Sequence, residues 1–354
     1  MKVQEQRAAA VAGGETQPAA PGGGAEDATV RRRSRLPWHD AVNRYGLIGV
    51  FVSIVLLFSV LKPDTFPTSE NAQSIASAQA VVALLALAAM MPLIVGHFDV
   101  SIGFQLGLSQ TLCAGLIIQH GWPAGVAALA GVAACAVVGV VNGLLVARVR
   151  LPSFIATLGV GTLVLGLTQL YGKDETISGA LPASFTDLGR NSIAGIPLPF
   201  LYVVALGAVL WMAFEYTFWG RECHATGGNS RAALLAGVRT DRVTFQCFVF
   251  AGLISGLAGV LSVMILGASA PTVGLGSLLP AYAAAFLGAT AIRPGRFNAI
   301  GTVLAIYLLA AGITGLQMMG AAFYVEQLFN GAALLIALTL SAYASARSGK
   351  ARAV

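Results

Sequence analysis

The side chains able to do chemistry are few and lie far apart. Asp99 sits in the stretch GHFDVSIG, Glu215 in AFEYTFWG and Glu326 in FYVEQL, and the four histidines are His39, His97, His120 and His224. General acid–base catalysis or metal binding needs several such groups converging on one face, and none of these has a partner at helical or loop spacing. Cys113, Cys135, Cys223 and Cys247 show neither paired nor metal-ligand spacing. No catalytic residue and no metal ligand is expected. A Gly-x-x-x-x-Gly-Lys-Ser/Thr phosphate loop is absent from the sequence, so the chain is not an ATPase and no cofactor is expected in it. Amides are better represented: Gln105, Gln110, Asn142, Gln169, Gln246 and Gln317 interrupt apolar runs, with Phe104, Phe154 and Tyr171 nearby. Amides beside aromatic surface can hold a hydroxylated solute; in a membrane they serve equally as helix–helix hydrogen bonds.

The elements that must position these groups follow from composition. Of 354 residues 56% are hydrophobic and 10% charged, where a soluble domain carries about a quarter charged. Apolar runs of roughly 18 residues or more, enough to cross about 30 Å of hydrocarbon, recur near 45–61, 71–95, 101–119, 123–147, 153–171, 198–219, 243–266, 277–292, 298–317 and 322–343. The expectation is an all-α polytopic membrane protein of about ten transmembrane helices with both termini cytoplasmic. Basic residues agree: only Lys62, Lys173 and Arg190 of the 21 lysines and arginines then fall outside, as orientation by basic loops requires. The same bias accounts for the net charge of +6 without a nucleic-acid partner. Residues 1–36, which include AAPGGGAEDA and the Arg31–Arg35 cluster, read as a disordered cytoplasmic tail. Residues 37–346 form the transmembrane domain, with a cytoplasmic loop over 220–242, and 347–354 form a second tail.

Two segments are related. IVGHFDVSIG (94–103) lines up with ILGASAPTVG (265–274), and NGLLV (142–146) with TGLQM (314–318). Five spans per half would invert the second copy, giving an inverted five-plus-five repeat of the kind transporters use; chance similarity between Gly-rich apolar segments is the other reading. Asp99 precedes the third span, where it could cap the helix start or act as a gating or coupling group. Gly96 and Gly103 would allow a tight turn or a broken helix there.

The loop GRECHATGGNSRAALLAGVRTDRV (220–243) is unlike its apolar flanks. Asn229 suits a helix N-cap and Gly237 the position just past a helix end, so about two turns form between them. Ala232, Ala233 and Ala236 would let that helix press into a groove on a partner, with arginines at 221, 231, 239 and 242 around it. A basic loop with no such partner is the simpler alternative.

GGNSRAALLAGV (227–238) resembles the Gly-Gly-Asn-x-x-Ala-Ala-x-x-x-Gly-Ile/Val motif of sugar-importing ABC transporter permeases, the ribose and xylose permease family. GHFDVSIG, VNGLLVARVRLPSFIATLG, FAGLISGLAGVL and AAFLGATAIRPGRFNAIGTVLA are similar to further stretches of that family in the same order, over roughly residues 45–343. The resemblance implies that Gly227, Gly228, Asn229, Ala232, Ala233 and Gly237 dock a separate ATP-binding subunit, which holds the ATP. It also implies a periplasmic sugar-binding protein, a second permease copy in a homodimer, a bacterial inner membrane, and a monosaccharide or related polyol as substrate. Phe104, Gln105, Asn142, Phe154 and Gln169 are then the candidate pathway residues, and Asp99 and Gly103 structural or gating ones. His97, Ala289, the Arg293-Pro294 pair and GLQMMG depart from the family pattern and leave the sugar's identity open. An ion-coupled secondary transporter of a small polar solute is the alternative; it would need ionisable groups deep in the membrane, for which Asp99, Glu215 and Glu326 are the candidates.

Overall fold

The computed structural model describes residues 37–347, with side chains from Tyr45 to Thr339 except Ala337, so the tail expected over 1–36, most of that over 347–354 and the His39 side chain lie outside the described residues. The helices are α1 (Pro37–Leu61), α2 (Ser69–Ala78), α3 (Ala80–Ile94), α4 (Ser101–Ile118), α5 (Ala124–Gly143), α6 (Ser153–Gly172), α7 (Ala183–Arg190), α8 (Leu198–Tyr216), α9 (Phe218–Gly228), α10 (Ser230–Leu235), α11 (Thr240–Leu266), α12 (Val273–Gly288), α13 (Ala299–Met318) and α14 (Tyr324–Arg347). A π segment, Leu144–Arg148, continues α5. The all-α expectation holds, and the only strands among the described residues are two-residue pairs between helices: β1 (Ile177–Ser178) pairs antiparallel with β4 (Ala268–Ser269), and β2 (Ser192–Ile193) with β3 (Ile196–Pro197).

A helix lies at each of the ten positions read as spans. Among the described residues, six helices are long and apolar enough to cross a membrane by themselves, and up to seven if the bent pair α2–α3 is one span. That pair bends by 44° at Gln79, which belongs to neither helix. The expected span 198–219 is cut at Thr217, whose extended backbone (φ −95°, ψ 160°) ends α8 and whose hydroxyl oxygen accepts from Gly220 N–H to start α9.

Burial sorts the spans into inner and outer. The span windows of α4, α11 and α13 are 78%, 61% and 67% buried, whereas those of α5, α6 and α8 are each 28% buried. The most enclosed helix is α3, AVVALLALAAMMPLI, in which Ala83 to Ile94 are all buried. Its alanines, leucines and methionines are strong helix formers, and with no polar face it belongs inside a bundle. It packs on α8, α11, α12 and α13.

Small residues bring the inner helices together, as membrane packing requires. A Cβ added at Gly139 of α5 would lie 2.6 Å from the Phe248 carbonyl oxygen of α11. The two segments aligned in the sequence meet each other: Gly103 and Gly274, their last residues, lie backbone against backbone, and a Cβ at Gly103 would come 2.7 Å from the Gly274 oxygen. Each segment interrupts a helix pair in the same way, at residues 95–100 between α3 and α4 and at 267–272 between α11 and α12. Around them α4 packs on α5 and α6, as α12 packs on α13 and α14. Of the tight turn or broken helix expected at Gly96 and Gly103, the helix break lies at 95–100 and the turn at Gly96, with φ +86°, whereas Gly103 sits in the first turn of α4 at a close helix crossing.

Candidate functional site

The break at 95–100 gathers a group of buried polar side chains. Each of its last backbone N–H groups is taken by a side chain: Phe98 N–H donates to Ser153 Oγ (3.2 Å), Asp99 N–H to Tyr282 Oη (3.1 Å) and Val100 N–H to Thr157 Oγ1 (3.0 Å). The Tyr282 hydroxyl in turn donates to the Asp99 carbonyl (2.9 Å). Helices α6 and α12 thus clamp the irregular backbone, which in a membrane cannot be left without partners.

Ser101 is the hub of the side chains. Its hydroxyl donates to Asp99 Oδ1 (2.5 Å) and accepts from Gln105 Nε2 (2.6 Å) and Asn142 Nδ2 (2.7 Å). Asp99 Oδ1 also accepts from Ser101 N–H (3.0 Å) and, at 3.4 Å, from Asn142 Nδ2. All four residues are fully buried. Asp99 Oδ2, Gln105 Oε1 and Asn142 Oδ1 have no hydrogen-bond partner, and among the described residues no cation reaches ion-pair distance of Asp99. The helix-capping expectation for Asp99 shifts by one residue: the cap position of α4 is Val100, and Asp99 accepts from Ser101 N–H one step upstream.

The candidate pathway residues do not form one patch. Gln105 and Asn142 share the hub, and buried Phe104 next to Gln105 turns the other way, its ring lying where a Cβ at Gly161 of α6 would go. Phe154 is 54% exposed at the start of α6. Gln169 is near the opposite end of that helix, about 22 Å away at the helical rise, donating to Asp174 Oδ1 (3.0 Å). Sequence reasoning missed Ser101, Tyr282, Ser153 and Thr157; hydroxyls in apolar helices carry no spacing signal that separates them from ordinary i−4 bonding.

The loop at 220–242 folds as α9, α10 and the first turn of α11. Asn229 Oδ1 accepts from Ala232 N–H (3.0 Å), capping α10. Gly237, with φ +89°, follows the helix end, and Val238 N–H returns to the Ala233 carbonyl (3.0 Å), closing a Schellman turn. Of the three small residues expected to face a partner, Ala232 and Ala236 are exposed and Ala233 is buried, and Leu234 and Leu235, 59% and 85% exposed, add apolar surface to the outward side. Gly228 is open, with nothing within 4 Å of an added Cβ, whereas Gly227 is seated against the Ile94 carbonyl at the end of α3. The loop at 220–242 therefore rests on the element that leads into the hub.

Glu215, at the end of α8, forms an ion pair with Arg293 in the turn after α12; the two are too far apart in sequence for helical spacing to show it. His224 of α9 faces the same turn, and burial, followed by the charges of Arg296 and Arg293, pushes its imidazole down to about 4. It is neutral near pH 7. Asn298 holds the turn together, donating from Nδ2 to the carbonyls of Gly288 (3.2 Å) and Ala291 (3.1 Å) and accepting from Gly301 N–H (2.7 Å). Glu326 is exposed in the first turn of α14. His97 and His120 lie against the rings of Phe248 and Tyr171. The Cys223 and Cys247 sulfurs are 3.9 Å apart and buried, a proximity their sequence spacing hides. Among the described residues no three His, Cys, Asp or Glu side chains gather into a metal-sized group.

Comparison with known proteins supplies what geometry does not. A family described as "Branched-chain amino acid transport system / permease component" matches residues 71–338. The chain is similar to the ribose import permease protein of Bacillus subtilis, 32% identical over 89% of this chain and 97% of that one. It is similar to the D-allose transport system permease protein of Escherichia coli, 28% identical over 84% of this chain and 91% of that one. It is also similar to the L-arabinose ABC transporter permease protein of Azospirillum brasilense, 29% identical over 85% of this chain and 88% of that one. No solved structure matches.

Proposed function

The chain belongs to the family of transport-system permease components, a multi-pass protein of the bacterial inner membrane, and from that premise we propose that it forms the translocation pathway of an ATP-driven importer for a monosaccharide or related polyol. The observation that carries the substrate class is the near-complete coverage by a ribose permease at 32% identity, joined by permeases for allose and arabinose. The family's own description mentions amino acids, but the relatives that match over most of both chains are named for sugars.

In this reading ten segments cross the membrane, both termini are cytoplasmic, and the two five-span halves are inverted about the Gly103–Gly274 contact. The chain pairs with a second copy of itself, receives its solute from a periplasmic sugar-binding protein and takes its energy from a separate ATP-binding subunit that holds the nucleotide. That subunit docks on α9–α10. Because Gly227 is packed on the end of α3, a displacement of the docking loop reaches the break at 95–100 directly. The hub then acts as a gate support, not as the pathway wall: Gln105 and Asn142 are wholly buried, while Phe154, exposed, and Gln169, half-buried, stand at the two ends of α6 where they can meet passing solute.

The experiment is competition in reconstituted vesicles. Labelled ribose, allose and arabinose are offered with the cognate binding protein, ATP-binding subunit and internal ATP. Uptake of at least one sugar that excess leucine, isoleucine and valine leave unchanged supports the reading. Uptake of a branched-chain amino acid in place of any sugar overturns it.

A further inference from the structure

The break at 267–272 is tied down on one side. Gln110 Nε2 donates to the Ala268 carbonyl (3.3 Å) and to Ser262 Oγ (3.0 Å), and Ser269 Oγ donates to Thr111 Oγ1 (3.1 Å). Pro271 is seated on α4 as well: a Cβ at Gly107 would lie 2.5 Å from its carbonyl oxygen. Gly107 is about 9 Å from the first residue of α4 and about 16 Å from the last at the helical rise, and α4 is one of the helices long and apolar enough to cross a membrane. The break therefore lies at membrane depth. Its other side is open. Thr272 is exposed at the cap position of α12, and its side chain makes no cap hydrogen bond. From there an exposed stripe follows α12 at helical spacing through Val273, Gly276 and Leu279, and nothing lies within 4 Å of a Cβ added at Gly276.

The stripe ends at aromatic rings. Tyr282 follows Leu279 at helical spacing, Phe286 follows Tyr282, and each ring lies 6.0 Å from that of Phe98, which is 40% exposed at the first break. One side of α12 thus joins the two breaks. Irregular backbone at membrane depth is tolerated only where protein buries it or where it lines a water-filled cavity. A hydroxyl facing hydrocarbon turns back on its own helix, as exposed Ser53 of α1 and Thr339 of α14 do, donating to the Gly49 and Leu335 carbonyls (2.8 and 2.7 Å). Thr272 does not, so this side of α12 meets water and not lipid. Broken spans are also where transporters hold a solute near the midplane. We infer that the solute pathway runs along this side of α12, past Thr272 and Gly276, and that Phe98 is the plug at its cytoplasmic end. This rests on the chain being an importer subunit paired with a second copy, which supplies the facing wall. The plug sits where the cytoplasmic loop can move it: the Phe98 N–H is held by Ser153 of α6 (3.2 Å), and Gly227 bears on Ile94 at the start of the same break.

The test is aqueous access to single cysteines in the assembled importer, in vesicles with a charged thiol reagent applied to both faces. Wild type sets the background, its four native cysteines being buried. Gly276→Cys reacts at least tenfold faster than Leu56→Cys, a position 60% exposed on α1 near Ser53, because the thiolate that reacts forms in water and not in hydrocarbon. Should Gly276→Cys fail to fold, Val273→Cys, 36% exposed on the same stripe, takes its place. Equal slow rates at 276 and 56 overturn the inference by placing the stripe in lipid. A disulfide between two copies at 276 with no reaction toward the reagent overturns it by making the stripe a direct contact between copies. Excess transported sugar slows the reaction at 276; fast reaction that no sugar slows keeps the pathway and counts against the sugar reading instead. Phe98 is tested by leak: Phe98→Ala lets sugar cross without ATP severalfold faster than wild type, and Phe98→Leu restores the seal. An alanine variant as tight as wild type removes Phe98 as the plug.

Discussion

Ser101 is the residue on which most depends. One hydroxyl serves three side chains, so replacing it by alanine leaves the Gln105 amide donor without its acceptor, and Asn142 with only its long 3.4 Å bond to Asp99 Oδ1, in a site water does not reach. Orphaned buried polar groups cost about 1–3 kcal/mol each, and Ser101→Ala is expected to lower the unfolding temperature in detergent clearly. Ser53→Ala, which removes an exposed i−4 bond to Gly49, should leave it unchanged. Asp99 gives a graded version of the same measurement. Asp99→Asn keeps an acceptor for Ser101 and folds, whereas Asp99→Leu removes every bond that ties the break to α4 and α5 and should fail to accumulate in the membrane. Comparable yields of the two variants would show that the carboxylate does not organise the break.

At the scale of elements, α10 and α9 have separable roles. Leu235 is 85% exposed on a helix that its own cap and Schellman turn hold in place. Leu235→Asp therefore leaves the unfolding free energy within about 0.5 kcal/mol of wild type, as surface substitutions do, while abolishing co-purification with the ATP-binding subunit, because a new charge in a docked apolar contact has no partner. Gly227→Ala does the reverse. Its Cβ collides with the Ile94 carbonyl, so it loosens α9 from α3 and lowers stability whether or not the partner is present. Normal co-purification of Leu235→Asp would remove α10 from the interface.

These elements also show what was legible beforehand. Apolar run length located a helix at all ten expected positions, because a helix in hydrocarbon must be long and apolar and little else interrupts it. The Asn229 cap and the Gly237 stop could be read because each rests on a local backbone need. The inward turn of Ala233 and the outward one of Leu234 and Leu235 could not, since on a six-residue helix the face is set by what α9 packs against and not by periodicity. The hub was half visible: Asp99, Gln105 and Asn142 stood out as polar groups in apolar runs, but Ser101, Tyr282 and Thr157 are contributed across up to 183 residues of sequence, a convergence no spacing rule reports. The Glu215–Arg293 pair escaped for the same reason.

The whole molecule is an importer subunit whose orientation and energy source make distinct demands. Orientation is tested by labelling single cysteines with impermeant reagents. Cysteine at Lys173 or Arg190 should react from outside and cysteine at Arg239 only from the cytoplasmic face; labelling at 239 from outside would overturn the ten-span topology. Energy source separates the two transporter classes more directly. A permease driven by a separate ATP-binding subunit needs no titrating group in its spans, and Glu215, one of the three carboxylates that could have served, is instead occupied by Arg293. The deciding measurement is sugar uptake into vesicles that hold the permease, its ATP-binding subunit and the binding protein, with ionophores collapsing proton and sodium gradients. Uptake persists with internal ATP, stops when ATP is withheld, and survives Glu215→Gln combined with Glu326→Gln. Gradient-driven uptake by this chain alone, with no ATP present, would contradict the account and make it an ion-coupled transporter.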